Sequence, residues 1–126
     1  MANPNIVNVS TINGNTAMAS LTGASGATGT IVNNASGSNK IFKINSLYIA
    51  NIDGTNSADI TVSIHPQDDL GGTAVALAST VAVAADSTLV LITKDTAIYL
   101  LEDRSIGCHT PSSGDLNFFC SWDEIS

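Results

Sequence analysis

Apolar and polar residues alternate over much of the chain with the two-residue period of a half-buried β-strand. Ile60-Thr61-Val62-Ser63-Ile64 puts its apolar residues on one face and its hydroxyls on the other. Leu116, Phe118, Cys120 and Trp122 share one face of a last strand by the same period. Between these two, residues 74–83, 87–93, 97–101 and 105–110 read as short strands, broken by turn signals at Ala85-Asp86, Lys94-Asp95 and Glu102-Asp103. Earlier in the chain, residues 6–12, 16–21, 29–33 and 40–51 read as strands. They are punctuated by Asn13-Gly14, a Gly/Ser-rich stretch at 23–29, the polar run 34–39, and Asp53-Gly54.

Helix has a weaker claim. Residues 73–85 are Ala-rich and suit a helix by intrinsic propensity, but Val75, Leu77, Val81 and Val83 all share one parity. An extended strand with those four on one face is the expectation. Eight to ten short strands without an amphipathic helix predict an all-β fold: an antiparallel β-sandwich, jelly-roll-like. The 126 residues suffice for one core, so a single domain over 1–126 is expected, with residues 1–5 as an N-terminal docking arm.

Composition changes the picture of the surface. Only 12% of residues are charged while 44% are hydrophobic, and mean hydropathy is +0.24, so the chain folds and draws its polar surface from Ser, Thr and Asn. Such a surface suits close contact with neighbours. Four basic residues (Lys40, Lys43, Lys94, Arg104) against a net charge of −7 leave little to neutralise phosphates, which argues against nucleic acid and against an anionic membrane as partner. No apolar run approaches the roughly 20 residues of a bilayer span. The opening residues carry no basic-then-apolar signal pattern, so synthesis in a cytoplasm is expected.

Chemistry is sparse. His65 and His109 lack the spacing of a zinc site, and Cys108-His109 are strand neighbours that point to opposite faces, so no thiolate–imidazole pair forms between them. Cys108 and Cys120 are read on adjacent strands folded about 111–114. Free, buried thiols are the preferred reading, with a bridge left open. The acidic loops at 53–59 and 67–69 offer oxygen ligands without EF-hand spacing, and turn chemistry accounts for the first without an ion. Glu102 and Asp103 read as a solvated turn rather than a paired-carboxylate site. Gly23, Gly26 and Gly29 lack the residues of a phosphate-binding loop. Catalytic residues, cofactors and metals are therefore all expected to be none, and the chain is read as a non-enzyme. Of the six aromatics, Phe42, Tyr48, Tyr99, Phe118 and Trp122 are expected to serve a core, while the parity of Phe119 sets it on the outer face.

Three blocks carry a resemblance: Ala2-Asn3-Pro4-Asn5-Ile6-Val7-Asn8-Val9, the run from Ile44-Asn45-Ser46-Leu47-Tyr48 through Asn51-Ile52-Asp53-Gly54-Thr55-Asn56, and the closing Cys120-Ser121-Trp122-Asp123-Glu124-Ile125-Ser126. The segments around Ala78-Ser79-Thr80-Val81, Ala84-Ala85-Asp86-Ser87 and Tyr99-Leu100-Leu101-Glu102-Asp103 fit the same group. Together they resemble small virion structural proteins of tailed phages, especially those of marine cyanobacteria. The resemblance implies a many-copy β-sandwich and supplies no catalytic residue. Its leading implication is a capsid decoration, or cement, protein that binds the assembled lattice. The partner would be the major capsid protein or another virion protein, the place the outer capsid surface, and the chain a homo-oligomer such as a trimer. A tail, neck or fibre-associated adaptor is the structural alternative, and a host-surface carbohydrate-binding module the alternative from another class. Interface candidates are the N-terminal arm with Asn5, then His65, the loop Gln67, Asp68, Asp69 and Leu70, and Phe119.

Overall fold

A computed structural model describes residues 3–21, 27–111 and 115–126. Nine strands form two antiparallel sheets: β1 (Ile12–Leu21), β2 (Ala27–Asn34), β3 (Ile41–Asn51), β4 (Ala58–His65), β5 (Val75–Val83), β6 (Thr88–Ile92), β7 (Ile98–Leu100), β8 (Arg104–Thr110) and β9 (Leu116–Ile125). One sheet has the order β1-β9-β3-β6, with β7 continuing the β6 edge along β3; the other has the order β2-β8-β4-β5. The chain changes sheet at nearly every connection. This is the two-Greek-key arrangement of a jelly roll, as the strand pattern predicts.

The core lies between the sheets. Ile44, Leu47 and Ile49 from β3, Ile60 and Val62 from β4, Ile106 from β8 and Leu116 from β9 are completely buried. Each contributes about 1.5–3 kcal/mol relative to exposure. Phe42 stacks on Trp122 with ring centroids 5.9 Å apart.

Four expectations need correction. Residues 6–12 and 16–21 are not two strands about an Asn13-Gly14 turn, because β1 runs unbroken through both residues, pairing Asn13 with Glu124 and Gly14 with Asp123. The ladder with β9 outweighs the local turn preference, and residues 6–8 form a turn instead. The single parity of β5 also fails. The β4–β5 ladder shifts register next to Val62, Thr80 takes φ 51°, and Val75 and Leu77 face solvent while Ala78 and Val83 are buried. This is a bulge, which exchanges the two faces of a strand, and the Thr61 hydroxyl accepts the Thr80 N–H at 2.9 Å.

Cys108 and Cys120 lie on consecutive strands, β8 and β9, but these belong to opposite sheets and do not pair as a hairpin. Both thiols are free and buried. Finally, Glu102 is not solvated. It is 6% exposed, and its carboxylate accepts the Gly37 N–H at 2.9 Å, tying the β2–β3 loop to the β7–β8 loop. Gly37 reaches it from a left-handed conformation, φ 81°, that favours glycine. Residues 1–2, 22–26 and 112–114, which include the start of the expected arm and much of the Gly/Ser-rich stretch, lie outside the described residues.

Candidate interaction surface

The outer face of the β1-β9-β3-β6 sheet carries one apolar row across all four strands. Met18 pairs with Phe119, Phe119 with Tyr48, and Tyr48 with Val90. These residues are 74%, 39%, 37% and 49% exposed, respectively. The rows on either side are uncharged and, apart from Ala50, polar: Thr16, Ser121 and Ser46 on one, Ser20, Asn117, Ala50 and Thr88 on the other. An apolar centre with a hydrogen-bonding rim is the anatomy of a protein–protein contact. The nearest charges on this face belong to Asp123 and Lys43, whose row pairs on to Tyr99. Tyr48 and Tyr99 are thus outside, not in the core as their placement in apolar runs suggests. The bulge between Ile44 and Ser46 keeps Leu47 and Ile49 inward and turns Tyr48 outward.

Phe119 therefore sits at the middle of this face, and the other interface candidates are elsewhere. His65 and the loop Gln67, Asp68, Asp69 and Leu70 lie over the outer face of the opposite sheet. Ser105, wholly buried there, donates its hydroxyl to the Gln67 carbonyl at 2.8 Å and accepts the Leu70 N–H at 2.9 Å. Asp69 exchanges hydrogen bonds with Asn33, and the Asp68 N–H reaches the Asp103 carboxylate. Asp69 and Leu70 take positive φ, 49° and 62°, which swings the Leu70 side chain over Gly107. A Cβ at Gly107 would lie 2.6 Å from Leu70 Cδ2, so only glycine leaves room for it. Between this loop and β8 is a concavity of about 350 Å³, floored by Gly107, Ser63 and Thr28 with His65 and His109 on its lining. The His65 Nδ1 is buried without a hydrogen-bond partner, and the His109 Nδ1 meets the Thr28 hydroxyl at 2.9 Å.

Asn5 is exposed and closes a turn of its own, its side-chain oxygen accepting the Val7 N–H at 2.9 Å. The neighbouring Asn3 accepts the Glu102 N–H, and Ser10 and Thr11 bond to Ser126, so the described part of the arm lies against its own chain. The candidates thus fall into three separate places rather than one site.

Electrostatics add few tuned groups. Asp53 lies below the usual carboxylate range because the Thr55 and Asn56 N–H groups, and then the Asn56 amide, donate to it. Glu124 is also lowered: burial alone would raise it, but hydrogen bonds from Asn15, Lys40 and the Trp122 indole together with the Lys40 charge outweigh that. Burial pushes the Cys108 thiol up to about 11 and that of Cys120 up to about 12, which removes them as nucleophiles near neutral pH. Among the described residues no three His, Cys, Asp or Glu side chains gather as metal ligands, and no helix is long and apolar enough to cross a membrane.

No protein-family model matches the chain, and no curated protein does either. Solved structures are similar to the chain. A chain from Bacillus endospore appendages, described as a novel family of disulfide-linked pili, superposes with a TM-score of 0.54 at 19% identity, over 92% of this chain and 88% of that one. A chain from infectious bursal disease virus, Gx strain, gives a TM-score of 0.47 at 14% identity, over 93% of this chain and 32% of that one. At 19% identity the first likeness shows the sandwich alone.

Proposed function

We propose that this chain is a non-enzymatic virion structural protein, a capsid decoration protein that lays the outer face of its β1-β9-β3-β6 sheet on the assembled shell. The observation that carries the reading is the exposed row Met18, Phe119, Tyr48 and Val90 within uncharged rows, a patch that costs free energy in water and is relieved by a partner. The resemblance to tailed-phage virion proteins and the jelly-roll sandwich support it. Binding only the assembled shell stabilises that shell by mass action, and many weak copies on one lattice reinforce one another. The disulfide linkage named for the pilus neighbour finds no surface cysteine here, since Cys108 and Cys120 are both buried.

The test is co-sedimentation of the purified chain with shells that lack it. Phe119→Asp and Tyr48→Asp should each abolish binding, while Ser79→Asp on the opposite sheet should leave it unchanged. Equal binding by all three variants would contradict the proposal.

The cross-strand aromatics Phe119 and Tyr48 also favour a second reading, the host-surface carbohydrate-binding module, because two exposed rings side by side are what a sugar platform requires. Retention of the chain on host-envelope glycans, lost in Tyr48→Ala, together with no binding to shells, would select it.

A further inference from the structure

The four sheet edges are not alike. The β6–β7 edge is split by a 3-10 turn at Lys94–Thr96, β5 is bulged, and the β2 ladder shifts register between Thr30 and Val32. Such interruptions are how sheets avoid unwanted strand pairing. β1 has none of them: ten residues pair with β9 in unbroken register, and Ile12–Leu21 contains no charged residue and no proline. The Thr16 N–H is directed away from β9, since it bonds the Asn15 side-chain oxygen at 2.8 Å instead of the ladder. By the alternation of an antiparallel ladder, Gly14, Met18 and Ser20 direct their N–H and C=O groups off the same edge, which no strand pairs among the described residues.

Residues 16–20 read Thr-Ala-Met-Ala-Ser, a near-palindrome about Met18. From these features we infer that the free edge of β1 pairs antiparallel with β1 of a second copy, about a two-fold axis at Met18. In that register Met18 opposes Met18 of the copy, Thr16 opposes Ser20, and Ala17 opposes Ala19. Over residues 16–20 like meets like, and each pair occurs twice about the axis, as an isologous contact demands. The residues directed off the edge become the hydrogen-bonded pairs, a neighbour's carbonyl replacing the Asn15 oxygen at Thr16. Chains of net charge −7 repel at a distance, but no charge lies within β1 to repel at contact.

The apolar row also ends at this edge on its most exposed member, Met18 at 74%. Pairing about Met18 joins two rows end to end across one continuous sheet, a two-fold arrangement in place of the trimer that the resemblance suggests. The contact concerns the edge and stands apart from whatever covers the face.

Sedimentation velocity on the full chain should show a concentration-dependent dimer. Thr16→Pro and Met18→Lys should each weaken self-association by at least about tenfold with an unchanged far-UV spectrum, because a proline whose N–H would face solvent is tolerated at an edge while like charges meet at the axis. Met18→Cys should form a disulfide dimer on mild oxidation, the paired Cα atoms standing about 5.5 Å apart, and Thr16→Cys alone should not. A wild-type monomer at every concentration, self-association indifferent to Thr16→Pro and Met18→Lys, or an oligomer in which Met18→Cys fails to cross-link would overturn the inference. Shell binding by a strictly monomeric chain would overturn it and leave the virion reading standing; a β1-paired dimer that ignores shells would do the reverse.

Discussion

Two buried asparagines do more for this sandwich than their place in turn-rich segments suggests. Asn51 donates to the carbonyls of Asn56 and Val83 and accepts the Asp53 N–H, each at 2.9 Å. Asn34 donates to the carbonyls of Lys40 and Leu100 and accepts the Ser38 hydroxyl. Each brackets a loop end to the strand ends across the sandwich. Asn51→Ala strands the groups it serves and should cost about 2–3 kcal/mol, read as a lower urea midpoint. The cysteines make a pH prediction. Their folded values, about 11 and about 12, lie above the ordinary 9.0, so their contribution is fully present below pH 9 and is lost as pH rises through the folded values. The urea midpoint should therefore fall progressively above pH 9, and the fall should shrink in Cys120→Ala. The buried, free thiols were legible in sequence; the reach of the two asparagines was not. An asparagine beside a glycine advertises a turn, and only the crossing of the chain shows what its amide reaches.

At the scale of elements, period-two alternation located eight strands within a few residues, because each had a core face to declare. The failures share a cause. β1 is exposed along almost its whole length and so has no apolar face, which left Asn13-Gly14 to be read by local preference. On β5 the bulge at Thr80 reversed a parity that the residues Val75, Leu77, Val81 and Val83 state plainly. The candidate face was legible at Phe119 alone, since a single parity sufficed there; Tyr48 needed the bulge in β3, and Met18 and Val90 needed the register of four strands. The Leu70 loop gives an element-scale prediction. Gly107→Val should expel Leu70, cost about 1–2 kcal/mol, and speed proteolysis within 66–72 while the spectroscopic signature of the sheets is unchanged.

For the whole molecule, low charge, a Ser/Thr/Asn surface and one open apolar row are the features on which the proposed assembly role rests. The lack of a convergent polar constellation in the sequence is the basis of the non-enzyme reading, and the face and the β1 edge supply what an assembling protein needs. The proposed function turns on whether that face lies against a capsid. Residue-resolution imaging of purified virions tests it most directly, by counting copies of the chain and tracing what each touches. A decoration protein seated on this face should appear in many copies on the outer shell, with Met18, Phe119, Tyr48 and Val90 buried against major capsid subunits. A ring or a few copies confined to the tail or neck, or shell-bound copies with that row facing solvent, would contradict it.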